Sequence, residues 1–406
     1  MSHWPTPKRQ SIFERLRAIS IVLVFCSYFL LSIYIRSHLE GSDSRLWLKT
    51  PFVLGSGYIA LQAVDLLAKP YLIYFSYSIP EKVGYLIYSP QFAAGPVEKS
   101  RSLISALRSP IIVSNSKRLE SSFKYLIPGL LRKAILVPII YSIFSSTKES
   151  ASSLGLIGSA LAFPIPYLYL YQEIQAYTEI AQGVSALAGI PLLINFREPF
   201  RAVSFSDFFK RWHISVSEWF NTFIGKPAMK IAIKTKFLEK YAKEISGSIV
   251  FFAFGIWHGF SANSLFCGIL LALGYILECW TKKIGIWNKA LGWIYVQSIA
   301  IIVSALLMLR ETSVFANWIH DLTSQQIIGQ EFISPINFFR YGAAGIIILL
   351  IGLDSTSNSL FKLINNQQWK HYALKSILMY STLLISFSVF TFNSNAGQDN
   401  YVRLDF

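Results

Sequence analysis

The sequence predicts an all-α integral membrane protein: a multi-pass helical bundle of about 8–11 spanning segments, with re-entrant or interfacial helices besides. Three observations predict it. Hydrophobic residues make up 53% of the 406-residue chain and charged residues only 15%, against ~25% charged in ordinary soluble domains. Several uncharged stretches reach the ~20 residues that a helix needs to cross a bilayer. The interval from Ile245 to Leu277 has no Asp, Glu, Lys or Arg in 33 residues. As one helix it would run ~50 Å, against a hydrocarbon core of ~30 Å, so it must break, tilt or turn back. Bundled membrane helices form one unit whatever their length, so residues 1–406 are read as a single domain.

The elements follow in order. Lys8, Arg9, Arg15 and Arg17 against Glu14 precede an apolar run at 18–35, which places the N-terminus in the cytoplasm by the positive-inside rule. No small-residue cleavage site follows, so the segment is read as mature. Further apolar segments lie near 125–145, 152–171, 174–194, 292–309, 335–353 and 373–392, with shorter ones near 51–66 and 83–97. In "SPQFAAGPVEKS", Pro90, Gly95 and Pro96 make a poor helix, and a re-entrant loop or broken helix is expected. The break in the uncharged interval is expected at "HGFSAN", where Gly259, Ser261 and Asn263 weaken the helix. Cys26, Cys267 and Cys279 show neither metal-ligand pairing nor a disulfide framework and read as packing residues.

Net charge is +15. Basic clusters recur at 99–133 and at 226–243, the latter with Lys226, Lys230, Lys234, Lys236, Lys240 and Lys243. The plainer reading is topology and attraction to anionic phospholipid. The sharper one is a cytoplasmic surface for a phosphate-bearing donor or an acidic carrier protein. No nucleic-acid partner is expected.

Three stretches carry chemistry. In "SFSDFFKRWHISVSEWF", Ser204 and Asp207 fit a helix start at 204 or 205. Phe205, Phe208, Phe209, Trp212, Val216, Trp219, Phe220 and Phe223 then recur at three- and four-residue steps, an apolar wedge of ~120° suited to the bilayer interface. His213 sits at the margin of that stripe, where an interfacial ring bonded to backbone is the plainer explanation. His258 lies near the centre of the uncharged interval. An ionisable residue there is a functional hypothesis by default, and a desolvated imidazole stays neutral and able to accept a proton. In "YQEIQAYTEIAQG", Gln172, Gln175, Glu179 and Gln182 share a helical face, with Glu173 and Thr178 to its sides. Hydrogen bonding between helices explains that face as well as catalysis does.

The two Trp-His motifs, Trp212-His213 and Trp257-His258, stand 45 residues apart in that order. Together they resemble the signature regions of the membrane-bound O-acyltransferase family, nearest to the bacterial branch that acylates cell-surface polymers. "SPQFAAGPVEKSRSL", "INFREPFRAVSF" and, more weakly, "GSGYIALQAVD" are also similar to family segments, so the likeness covers about residues 51–280. Membership implies a helical fold around a tunnel, with a thioester donor entering from the cytoplasm and a hydroxyl acceptor from the other side. His258 matches the family's nearly invariant catalytic position, His213 its other motif histidine, and Asn263 the asparagine of "WHG…N". Trp212 and Trp257 are carried as supporting residues. Glu173 and Glu179 stand where the family has aspartates, and "WFNTFIGKP" replaces a common Arg-Asp-Tyr. The Lys-rich link resembles enzymes that move D-alanine onto teichoic acid, whereas "AGPVEKSRSL" and "AYTEIAQG" resemble alginate and peptidoglycan O-acetyltransferases.

The resemblance implies His258 as general base on the acceptor hydroxyl, His213 orienting substrate or relaying a proton, and Asn263 positioning His258 or the carbonyl oxygen. No tightly bound cofactor is expected; the donor, acyl-CoA or an acyl-phosphopantetheine carrier protein, is substrate. An extracytoplasmic esterase-like acyltransferase partner and a covalent acyl intermediate stay open. The rival from another class is a transporter or flippase whose buried His and Glu carry protons or substrate, against which the absence of a repeated half counts. Haem held by the two histidines is a third reading.

Overall fold

The computed structural model describes residues 51–309, apart from 93, 112–113, 150–159, 161 and 259–260, with scattered residues at 16–27 and 315–320. The described residues are helical, with no strand among them. Two compact units divide the chain: residues 1–123 with 180–299, and residues 124–179 with 300–406.

The first unit opens with α1 (Pro51–Leu67), α2 (Tyr71–Ser76) and α3 (Ile79–Leu86). A reciprocal cap starts α3: Glu81 N–H donates to Ser78 Oγ, and Ser78 N–H donates to Glu81 Oε2 at 2.7 Å. Two of the four orphan donors of the helix start are thereby satisfied. Beyond α3 the chain makes one 3₁₀ turn at Ser89–Gln91 and then runs extended, with a cis Gly95–Pro96 bond, to α4 (Ser100–Arg108). The irregular backbone expected over "SPQFAAGPVEKS" is present, and buried groups hold it. Asp65 on α1 accepts from Ser100 N–H at 2.7 Å and from Lys69 at 2.9 Å, while Tyr85 donates to the Glu98 carbonyl at 2.8 Å.

The carboxylate of Glu98 lies on this loop, outside the long helices. It is 3% exposed and accepts from the Leu193 N–H. Burial pushes its pKa up to about 7. Between the carboxylate's ordinary value, about 4.5, and 7, the folded chain then holds more protons than the unfolded one, so stability falls as pH rises through that window and is level above it. Melting measured from pH 5 to 8 is expected to show that decline, and Glu98→Gln to flatten it; an unchanged slope in the variant would refute the assignment.

Downstream, α8 (Phe205–Phe209) and α9 (Ile214–Phe220) are followed by a π turn at Asn221–Gly225, α10 (Lys226–Lys234), α11 (Ala242–Trp257) and α12 (Ala262–Lys283). The uncharged interval breaks where expected, and Ser261 caps α12 by accepting from Ser264 N–H at 3.0 Å. Helices α11 and α12 form an antiparallel hairpin whose pairs run in opposite senses: Gly255 lies on Gly268, and Gly247 on Tyr275. Along α12, Cys267, Leu271, Tyr275 and Glu278 are buried, whereas Leu265, Phe266, Ile269, Leu273 and Trp280 are exposed. A helix that leaves one wholly apolar face uncovered is built to meet lipid. At its polar end Glu278 accepts from Phe205 N–H and from Lys282, each at 2.6 Å, tying the start of α8 to α12.

Helix α5 (Asn115–Leu131) continues through a π turn at Arg132–Leu136 into α6 (Val137–Glu149). Helix α7 (Ile165–Leu187) and α13 (Lys289–Met308) follow at 165 and 289. Residues 115–145, 262–283 and 289–308 are the three helical stretches long and apolar enough to cross a membrane among the described residues. The expected segments at 335–353 and 373–392, most of 18–35 and the polar tail lie outside them.

Two expectations need correction. The segments drawn at 152–171 and 174–194 are not parted at 171–174: α7 runs unbroken from Ile165 to Leu187 and the stop comes at left-handed Gly189, while 152–159 and 161 lie outside the described residues. The single amphipathic helix drawn from 204 is two short ones, parted at His213, whose φ of 47° is left-handed. Ser204 still caps α8, accepting from Asp207 N–H at 3.0 Å, although Asp207 reaches Val203 rather than closing a box. Of the cysteines, Cys267 is buried as expected, whereas Cys26 is exposed.

Candidate active site

The break at His213 arises because the chain pairs with an extended segment instead of continuing as helix. Arg197 N–H donates to the Arg211 carbonyl and Ile214 N–H to the Asn195 carbonyl, both at 2.8 Å. Asn195 also accepts, through Oδ1, from Ser215 Oγ at 2.9 Å, and Ser215 accepts in turn from Val97 N–H at 2.9 Å. The loop after the cis proline, the 195–197 segment and the first turn of α9 are thus sewn together around His213.

The imidazole of His213 is 1% exposed. Its Nε2 lies 3.0 Å from the Tyr58 hydroxyl, and the two rings stack with centroids 6.0 Å apart. Phe196 and Trp257 complete the enclosure at 5.9 and 6.4 Å. Burial holds the ring's pKa down to about 3, and the charge of a protonated His258 ring would lower it further. His213 is neutral at physiological pH.

His258 closes α11, its N–H donating to the Gly255 carbonyl at 3.3 Å. Its ring stands 5.1 Å from Trp257 and 5.2 Å from Phe254, and is exposed on the chain's own surface. His213, expected at the margin of a surface helix, is the more enclosed of the two, while desolvation disfavours the charged form of both rings. The helix ends at His258 and opens its environment, while Tyr58, Phe196 and Trp257 wall in His213. Trp257 touches both histidines and packs its edge on Tyr58 at 5.5 Å. Asn263, 3% exposed, sits in the first turn of α12 across the break.

Trp212 packs elsewhere, stacked on Phe208 at 5.5 Å and set edge-on to Phe196 at 5.1 Å. Glu173 and Glu179 belong to the second unit, on α7. There Arg132 donates to Glu179 at 3.0 Å and to Gln172 at 2.7 Å, and Lys133 pairs with Glu173. That is the interhelical hydrogen bonding weighed for this face in the sequence. A cavity of about 550 Å³ reaches Phe220 and Phe254, which border Trp257 and His258, and its wall carries Arg197, Lys210 and Lys243 with one carboxylate, Glu218. Sequence reasoning missed Tyr58, Asn195 and Ser215. The only signal for Tyr58 was its place in the Gly-rich stretch "GSGY".

Residues 13–284 match the membrane-bound O-acyltransferase family, MBOAT. The chain is 25% identical over 295 residues to the teichoic acid D-alanyltransferase of Streptococcus thermophilus, an alignment covering 66% of this chain and 69% of that protein. It is 24% identical over 248 residues to the teichoic acid D-alanyltransferase of Bacillus subtilis, covering 59% and 62%. With the peptidoglycan O-acetyltransferase of Helicobacter pylori the identity is 24% over 187 residues, covering 46% and 34%. The chain thus spans less than two thirds of the last two relatives. The family match covers most of the chain and takes in both Trp-His motifs: this protein belongs to the membrane-bound O-acyltransferase family, an enzyme family of acyl-group transfer.

Proposed function

We propose that this chain is a multi-pass enzyme of the bacterial cell membrane, N-terminus in the cytoplasm, forming one helical domain around a substrate tunnel. It moves a D-alanyl or acetyl group from a cytoplasmic thioester to hydroxyls of a cell-surface polymer or of an extracytoplasmic partner. His258 takes the proton of the attacking hydroxyl. The new C–O bond forms at the thioester carbonyl, the C–S bond breaks, and the departing thiolate recovers the proton from His258. His213 and Asn263 orient the reactants, and exclusion of water protects the thioester from hydrolysis.

The observation that carries this reading is the meeting of both motif histidines on Trp257, at the break between α11 and α12. The adjoining cavity, aromatic within and edged by Arg197, Lys210 and Lys243 against the single carboxylate of Glu218, suits a donor with an apolar arm and an anionic phosphate. The lysines of 226–243 offer an acidic carrier protein a landing surface. The ion pairing of Glu173 and Glu179 with Lys133 and Arg132 weighs against their use as proton carriers in a transporter.

The test supplies membranes holding the full chain with [¹⁴C]acetyl-CoA or with D-[¹⁴C]alanyl carrier protein, and with lipoteichoic acid or peptidoglycan as acceptor. Label is expected in a hydroxyl ester with one donor. Correctly inserted protein that transfers label from neither donor would refute the reading.

A further inference from the structure

We propose that Tyr58 is a positioning residue that fixes His213 as a hydrogen-bond donor through Nδ1, leaving the base's part to His258. This rests on the acyl-transfer reading and divides the labour of its two histidines.

Tyr58 Oη and His213 Nε2 are 3.0 Å apart in a buried setting. A phenol is a better acid than a neutral imidazole N–H, and a bare imidazole nitrogen is a better acceptor than a phenol oxygen. The favoured arrangement therefore has the Tyr58 hydroxyl donating to Nε2. A neutral ring with a bare Nε2 carries its proton on Nδ1. Nδ1 is buried and has no hydrogen-bond partner among the described residues. A buried donor left without an acceptor is costly, and native structures keep such groups where a ligand supplies the missing atom.

The surroundings hold that donor in place. The left-handed backbone at His213, a conformation sparsely populated by non-glycine residues, is fixed by the Ile214–Asn195 and Arg197–Arg211 hydrogen bonds. Tyr58 lies on α1, so the ring is pinned from outside its own segment. Trp257 packs edge-on against both Tyr58 and His213. A donor fixed before reaction suits a carbonyl oxygen that gains negative charge as the hydroxyl attacks. No proton leaves His213 in this role: Nδ1–H stays bonded to nitrogen while the oxyanion forms and collapses.

The test has two independent arms. In the first, full-length protein labelled with ¹⁵N-histidine is studied in bilayers by solid-state NMR, with the His213 signals identified by their loss in His213→Asn. The expected result is a protonated Nδ1 and a bare, hydrogen-bonded Nε2, with the Nε2 signal moving in Tyr58→Phe. A proton on Nε2, or an Nε2 signal indifferent to Tyr58→Phe, overturns the proposal.

The second arm measures transfer from the two labelled donors. Tyr58→Phe is expected to lower kcat by roughly 10- to 100-fold with KM little changed, because only a donor's alignment is lost. The amide of asparagine overlays Nδ1 and that of glutamine overlays Nε2, so His213→Asn should outperform His213→Gln by at least about tenfold. Asparagine also tolerates left-handed backbone better, so the two are compared at equal folded fraction. Glutamine equal to or better than asparagine overturns the assignment of Nδ1. If wild-type protein transfers from neither donor, the acyl-transfer reading fails, and the NMR arm alone decides whether Tyr58 sets the tautomer.

Discussion

Replacement of His258 with alanine is expected to lower acyl transfer by roughly 10²- to 10⁴-fold while leaving the protein inserted and folded. The size follows from the role: a base that removes the hydroxyl proton acts only as the transition state forms, so kcat falls and KM for the donor moves little. The sparing of the fold follows from the position. His258 has ordinary right-handed backbone at the end of α11, with φ of −69°, and its ring is exposed, touching Phe254 and Trp257 from one side. Truncation there removes no side-chain hydrogen bond seen among the described residues, so the stability change should stay within about 1 kcal/mol. His213→Ala is the instructive contrast. It empties a fully buried site and removes the hydrogen bond to Tyr58, so it should cost both activity and several degrees of melting temperature. Near-normal transfer by His258→Ala would remove the general base from the mechanism.

The contrast between the histidines also marks what the amino-acid sequence made legible. The family, the helical class, the break at "HGFSAN" and the irregular loop around Pro96 were all visible, because each rests on local signals: composition, helix breakers and motif spacing. The burial of the histidines was not. A 3.6-residue pattern over 204–223 made His213 a marginal residue of a surface helix. The backbone there turns left-handed because Asn195 and Arg197 capture it, and a pairing between segments nearly twenty residues apart leaves no periodicity to read. Tyr58 was hidden for the same reason: its partner lies 155 residues away. The polar face of α7 was legible as polar, but its pairing with Arg132 and Lys133 required the π turn that carries both.

A Cβ at Gly255 is expected to do more damage than its size suggests, and to reach the active site from behind. Built on Gly255, it would fall on the backbone of Gly268. A flexible side chain could move aside; backbone in the middle of α12 cannot. Gly255→Ala must therefore separate α11 from α12, at a cost of about 1–3 kcal/mol typical of an overfilled interior, and Gly255→Val at more. Small residues let membrane helices approach closely enough for backbone contact, and that contact is most of what favours the pair in lipid. His258 lies three residues further along the same helix, so the displacement should also misplace its ring and lower transfer by tenfold or more. Gly84 supplies the control. It too is helical, in α3, yet a Cβ there meets nothing within 4 Å, so Gly84→Ala should be neutral or stabilising by about 0.5–1 kcal/mol. Melting of the three proteins in one detergent decides the matter. If Gly255→Ala melts with wild type, the two helices do not meet at Gly255 and Gly268, and the wall that carries His258 is set by something other than this contact.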